Sequence, residues 1–335
     1  MKNLLFVISS LFVSVLIFSC EKDIILDIPP GENDPVVEAW IHDGSGPLVM
    51  LSRQFSGYGS FNQATITDSL SIRGANVFVN GVKLAEQNLF ELPQDLLDQF
   101  LDVNRVPRVF GQFVDQLENL SLEQQLSFAS SQEDSAFINF VNNLNFYIDT
   151  SNSITGVGGA AYELRVETED KILNSTTTIP IKQDINFLRY ELNNENPGFA
   201  EVFVNITVPD NFDAFVLLAT RRSDTTAFYI PDYFGGGLTD NGIYAGSGTI
   251  ELPLLRGYSN DEDPELSVLG MFEVGDEVTL KWQNIDEDTY NFWFSVFNDG
   301  GDTPFSSATL AQSNINGGVG IWAGYNTSYT TITIQ

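Results

Sequence analysis

One cysteine and one histidine, Cys20 and His42, occur in 335 residues. A lone cysteine excludes an internal disulfide and any thiolate metal cluster, since both need at least a pair. A lone histidine leaves little material for zinc sites or Ser-His-Asp triads, which normally draw on imidazole. Positive charge is scarce as well: 15 basic residues stand against 45 acidic ones, a formal charge of -30 spread along the chain. Such a chain has nothing with which to neutralise phosphates and release counterions, which argues against nucleic acid as a partner. The same charge is accounted for by a solvated, self-repelling surface. Long apolar runs are also missing. The longest, Leu4 to Phe18, is broken by three serines and falls short of the roughly 20 residues that span a bilayer as a helix.

That run has another use. In "MKNLLFVISSLFVSVLIFSCEKD" a basic start at Lys2 precedes the apolar stretch, then a small residue, Ser19, and then Cys20. This is the layout of a secretory signal. A cysteine directly after the small residue resembles a bacterial lipobox, with Ile17 in place of the usual leucine and the bulky Phe18 in place of a small residue. The resemblance implies a signal peptide over residues 1–19 and lipid attachment at Cys20, as diacylglycerol on sulfur and an acyl chain such as palmitate on the new amine. Two or three chains anchor a protein stably, where one holds it only marginally. Glu21, Lys22 and Asp23 resemble the acidic signal that sends lipoproteins of the Bacteroidota to the outer face of the outer membrane. The prolines and glycine that follow read as a tether over residues 20–35.

From Val36 the text is strand-like. "VVEAWI" and "PLVMLSRQF" are short apolar runs, and Asn80-Gly81 sits between apolar residues as the strongest short hairpin signal. The period then changes: Leu96, Leu97, Phe100 and Leu101, and later Val109, Phe110, Phe113, Val114 and Leu117, recur at helical spacing. Ser121 with Gln124 makes a capping box, and Phe137, Phe140, Val141 and Leu144 mark a further helix. Residues 92–152 are therefore expected as an α-helical insertion whose apolar faces cover one another and a sheet edge. Strand text resumes in "AAYELRVETEDKILNSTTTIPI", a hairpin about Glu169-Asp170, and Pro180 with the polar Lys182 to Asp184 suggests a boundary. Beyond it lie "AEVFVNITV", "AFVLLATRR", "GTIELPL", "EVTLKWQNI" and "TYNFWFSVF". The last, with Tyr290, Phe292, Phe294 and Val296 on one face and Trp293 and Phe297 on the other, reads as a central strand covered on both sides. The expected fold is mainly β: two β-sandwich-like domains over residues 36–182 and 183–335, with the helical insertion in the first.

Several stretches together resemble a known family. "CEKDIILDIP", "VVEAWIHDGSGPLVMLSRQFSGY", "IRGANVFVNG", "YELRVETEDK" with "TTTIPI", and "TPFSSATLAQSNINGGVGIWAGY" are similar to the outer-membrane lipoproteins of the Bacteroidota grouped as domain of unknown function 4249. The resemblance covers most of the chain after Cys20 and departs from it between about Leu92 and Asn152. It implies a lipid-anchored protein facing the cell exterior, with a first module like immunoglobulin or transthyretin domains. It also implies a TonB-dependent receptor as partner. It brings no catalytic residues, and fold analogy does not establish function.

Candidate chemistry is sparse. His42 beside Asp43, with Ser45 or Ser52 as a nucleophile, would sketch a hydrolase, but no G-x-S-x-G elbow accompanies them. A turn histidine next to a turn aspartate is favoured. Asp261, Glu262, Asp263 and Glu265 would offer oxygen ligands to calcium, yet they lack the alternating spacing of an EF-hand. An exposed acidic loop is favoured there, and no cofactor is expected. Phe228, Tyr229, Tyr233, Phe234 and Tyr244 surround three consecutive glycines and form a candidate surface for a ligand or partner. "NINGGVGIWAGYN" lacks the third glycine and the βαβ setting of a dinucleotide loop. Its glycines are expected to allow tight turns or close backbone approach, with Trp322 packed on the second domain. The sequence thus favours a surface-exposed binding or accessory subunit and no enzyme. A structural or adhesive surface protein is the alternative, and a hydrolase ranks below both.

Overall fold

The apolar-polar alternation of the strands becomes two-sided packing in a computed structural model. It describes residues 34–53, 71–93, 95–96, 99, 144–208, 215–223, 237–240, 248–258, 265–297 and 311–335. Cys20, Glu21, Lys22 and Asp23 lie outside the described residues, as do the aromatic loop residues Phe228, Tyr229, Tyr233, Phe234 and Tyr244 and most of the expected helical insertion.

The first strands are β1 (Pro35–His42), β2 (Pro47–Arg53), β3 (Asn76–Val79), β4 (Val82–Lys83), β5 (Ala85–Asn88), β6 (Asn145–Ile148), β7 (Ala161–Glu167) and β8 (Ile172–Thr178). There follow β9 (Ile185–Leu192), β10 (Phe199–Val208), β11 (Phe215–Arg221), β12 (Leu238–Thr239), β13 (Gly248–Leu254), β14 (Phe272–Glu273), β15 (Glu277–Ile285) and β16 (Val319–Thr333). β6 lies inside the span read as helical insertion, which corrects that span at its C-terminal end: Phe146, Tyr147 and Ile148 are buried on both faces, as an inner strand demands. The Asn80-Gly81 turn joins β3 to β4 with both residues at positive φ, 47° and 79°, the twist a two-residue hairpin needs. Thr168 and Lys171 close the expected β7–β8 hairpin.

An eight-stranded sheet runs in the order β12-β11-β15-β16-β1-β2-β6-β5. The expected boundary near residue 182 divides the chain but not this sheet, because β16 belongs to both halves. Its first part, Val319 to Tyr325, runs parallel to β1, and its later part, Asn326 to Thr333, runs antiparallel to β15. Two smaller sheets, β4-β3-β7-β8 and the β9, β10, β13, β14 set, pack on the same face of it. Over the first, Val37, Ala39, Ile41, Leu164, Val166 and Trp322 form one core. Over the second, Val204, Ile206, Leu280 and Trp282 form another. Trp322 therefore packs in the first core, not on the second: it is fully buried, and its indole donates to the Tyr162 carbonyl at 2.9 Å. Each such large apolar side chain contributes about 1.5–3 kcal/mol on burial.

The opposite face is covered partly by a helix, α1 (Glu287–Phe297), where the sequence reading expected a strand. Two features decide for helix. Asp286 caps it, its carboxylate accepting from the Thr289 amide at 2.9 Å while its carbonyl accepts from the Tyr290 amide. Tyr290 stacks on Phe294 and Trp293 on Phe297, pairs that meet only at i, i+4 spacing. The Trp293 indole donates to the Tyr325 hydroxyl at 2.9 Å and fixes α1 on β16.

Candidate functional site

Alternation in β7 and β8 turns Tyr162, Leu164, Val166 and Leu173 inward and leaves Glu163, Arg165, Asn174 and Thr176 outside. Register places Glu163 opposite Thr176 and Arg165 opposite Asn174, with Phe78 of β3 on the other side of Arg165. These side chains form the floor of a groove of about 810 Å³. Its walls come from far along the chain: Asp288 from the first turn of α1, and Asn314 and Asn316 from the segment before β16.

Both walls are tied down. Asp286 reaches across to β8, accepting from the Thr177 hydroxyl at 2.8 Å and the Thr178 amide at 3.1 Å. One carboxylate thus caps α1 and sets the position of Asp288. On the other side, Asn174 and Asn316 exchange backbone hydrogen bonds, and the Ser175 hydroxyl donates to the Asn314 carbonyl at 2.9 Å. The Asn314 side chain grips Trp322, accepting from its amide at 2.9 Å and donating to its carbonyl at 2.8 Å. The glycines of this stretch make the close approach possible. A β-carbon on Gly317 would lie 2.9 Å from the Ile172 carbonyl oxygen, and one on Gly320 would lie 1.9 Å from that of Val37.

The groove is acidic, with Glu163, Glu167 and Asp288 against Arg165. Arg165 donates to Glu167 at 2.6 Å, so this cation is already neutralised. Partial burial, with the Asp286 carboxylate nearby, pushes the Asp288 carboxyl above its ordinary range. The side chains of Glu163, Asn174, Thr176, Asn316 and Asp288 make no hydrogen bond among the described residues. The floor is therefore preorganised while its polar groups stay available. None of these residues was a candidate site residue in the sequence, although Asn316 belongs to the glycine-rich stretch "NINGGVGIWAGYN". Alternation marks which side chains face outward, but not which outward faces are brought under α1 and the 314–316 segment.

The residues that were singled out serve elsewhere. His42 stacks on Tyr325, centroids 5.0 Å apart. The Asp43 carboxylate accepts from the Gly158 amide at 2.8 Å, and the Ser45 hydroxyl donates to Asp95 at 3.2 Å and accepts from Gln99 at 3.0 Å. Ser52 of β2 forms an isolated antiparallel bridge to Ser71. The polar groups of the 42–45 turn thus stitch it to neighbouring loops. Of the four acidic residues considered for calcium, Glu265 is described, in an exposed turn before Leu266, while Asp261, Glu262 and Asp263 lie outside the described residues. Among the described residues no three His, Cys, Asp or Glu side chains converge as a metal site, and no helix is long and apolar enough to cross a membrane.

No curated protein matches the chain. A family model does, over residues 21–331, which takes in all of the β architecture except the last residues of β16. The chain belongs to the family described as domain of unknown function DUF4249.

Proposed function

We propose that the protein is a surface-exposed binding or accessory subunit, held at the outer membrane by lipid on Cys20 and working beside a TonB-dependent nutrient receptor. The observation that carries the binding part is the groove: a sheet face on which the side chains of Glu163, Asn174, Thr176, Asn316 and Asp288 have no hydrogen-bond partner among the described residues. Stability does not call for such an arrangement, because unpaired exposed groups contribute almost nothing to folding. It suits recognition, which gains from groups already held in place. The anchoring part rests on the signal layout ending at Cys20 and on the charged Glu21, Lys22 and Asp23 that follow.

Two measurements test the reading. Mass spectrometry of the protein purified from membranes should find acyl chains on Cys20, and Cys20→Ser should leave the membrane fraction; an unlipidated wild type that fractionates like Cys20→Ser removes the anchor. Affinity purification from detergent-solubilised outer membranes should recover a transporter. Recovery of only envelope or matrix proteins would replace the accessory role with a structural or adhesive one.

A further inference from the structure

We propose that the groove over β7 and β8 binds an uncharged, hydroxyl-rich ligand, a short oligosaccharide chain, an inference that rests on the reading of the protein as a binding subunit. Ligand clefts of roughly 300–1,000 Å³ are mostly apolar with a few placed polar groups. This one, at about 810 Å³, reverses the proportion. Its occupant must therefore supply many hydrogen bonds, since a mainly apolar ligand would strip water from these groups without replacing it.

The chemistry of the free groups narrows the class. The amides of Asn174 and Asn316 each offer two donor hydrogens and an acceptor, the Thr176 hydroxyl offers both roles, and the Glu163 and Asp288 carboxylates accept. A polyol donates and accepts along its whole length through closely spaced hydroxyls, and it matches this mixture of amides, hydroxyl and carboxylates. Phe78 is half-buried beside Arg165 and presents an aromatic ring at the side of the floor. A ring of this kind packs against the C–H face of a sugar while the hydroxyl edge meets the amides. Charge disfavours anions: Glu163 and Asp288 are left unbalanced once Arg165 pairs with Glu167, and they repel phosphorylated or carboxylated ligands. Arg165 lies on the middle strand of the floor. A neutral ligand meets this arrangement without repulsion, and oligolysine tests the cationic alternative.

The test is isothermal titration calorimetry on the full chain purified in detergent. The probes are neutral gluco-, xylo- and manno-oligosaccharides, with oligolysine and inorganic phosphate as charged comparators. At least one neutral oligosaccharide should bind, and neither comparator should. Asn174→Ala with Asn316→Ala should weaken that binding tenfold or more, and Phe78→Ala by a similar factor. Because the Asn174 and Asn316 side chains are exposed and make no hydrogen bond among the described residues, the double variant should melt at the wild-type temperature. Thr176→Val supplies a second, nearly isosteric test should either alanine variant fold poorly. Binding of oligolysine alone, no binding of any probe, or oligosaccharide binding unchanged by these variants would overturn the inference. A chain that recovers a transporter yet binds no oligosaccharide loses this inference and keeps the accessory reading; one that binds oligosaccharide but recovers no transporter does the reverse.

Discussion

Two polar sheet faces of this molecule look alike in composition and differ in how their groups are used. On the outer face of β9, β10 and β13, Arg189 forks onto Glu251 at 2.6–3.0 Å and onto Glu191 at 2.5 Å. Asn205 adds a bond to Glu251, and Asn186 donates to both Asn205 and Thr207. The Arg189 guanidinium also lies over the Phe203 ring, 4.4 Å from its centroid. The hydrogen bonds from Arg189 hold the Glu251 carboxyl below its ordinary range. On β7 and β8 Arg165 pairs with Glu167, but the side chains of Glu163, Asn174 and Thr176 stand side by side without such bonds among the described residues. Polarity on a sheet face therefore says little about recognition. What marks a site is polar capacity that the fold leaves unspent, on a backbone that it holds rigid.

Both faces hang from β16, so breaking that strand should cost the most. Gly320 sits at φ 118° with the Val37 carbonyl against it. Gly320→Val would force the parallel β1–β16 pairing apart, at a cost of about 4 kcal/mol or more, the range reserved for backbone strain combined with core disruption. Urea unfolding followed by tryptophan fluorescence should show both cores lost together or no folded protein at all. A variant that unfolds at the wild-type midpoint would show that β16 does not join the two halves energetically.

A third polar environment, the interior, sharpens the contrast further. Lys281 is buried in β15, and desolvation pushes its ammonium down from 10.5 to about 8. Below pH 8 the folded protein carries the full cost of a buried charge. Between about 8 and 10.5 the unfolded chain binds more protons than the folded one, so stability rises with pH across that window. The shift corresponds to about 3 kcal/mol. Lys281→Met should therefore stabilise the protein at pH 7 by up to that amount, and its advantage over the wild type should shrink from pH 8 to 10.5. An advantage that does not change with pH would assign the gain to packing alone.

Asp286 is where the groove depends on bonds that are spent. Asp286→Ala removes the cap of α1 and the two bonds to β8. A loss of about 1–2 kcal/mol is expected from thermal or urea unfolding. Oligosaccharide binding should weaken as well, because Asp288 loses its fixed position. Asp286→Asn keeps acceptor capacity for the cap and should recover part of the stability. Equal losses from the two substitutions would mean that the charge, not the cap geometry, holds the wall.

Much of the β architecture was legible from local pattern. Asn80-Gly81 and the alternation of "YELRVE" specify hairpins through φ preference and burial, which act within a few residues. α1 was not legible, because apolar residues at six of the eight positions from Tyr290 to Phe297 satisfy a period of 2 as readily as one of 3.6. The Asp286 to Thr289 cap carried the missing information. β9 follows the polar Lys182 to Asp184 stretch and was not among the expected strands; Leu188 and Tyr190 pack against the second core while Phe187 and Leu192 remain exposed. The placement of Trp322 in the first core depends on a crossover within one unbroken strand, and no local signal marks where such a strand changes partners. The groove was hidden for the same kind of reason. Whether Asn174 is spent or free is decided by what the fold brings opposite it, and Asn316 and Asp288 come from more than 100 residues away.

The Arg189 network, by contrast, should cost least to break. Arg189→Gln breaks the best-connected ion pair described, yet its side chain and that of Glu251 are each 34% exposed. Water and salt replace most of what an exposed pair supplies, and holding two long side chains in one geometry costs entropy. Urea unfolding at physiological salt should therefore show a midpoint close to the wild type, with a small loss emerging as salt is lowered. Oligosaccharide binding should not change, since Arg189 lies on the outer face of a different sheet from the groove. A loss of binding in Arg189→Gln with stability intact would mean that the two faces are coupled through β16, and that spent polar groups on one side help to set the unspent ones on the other.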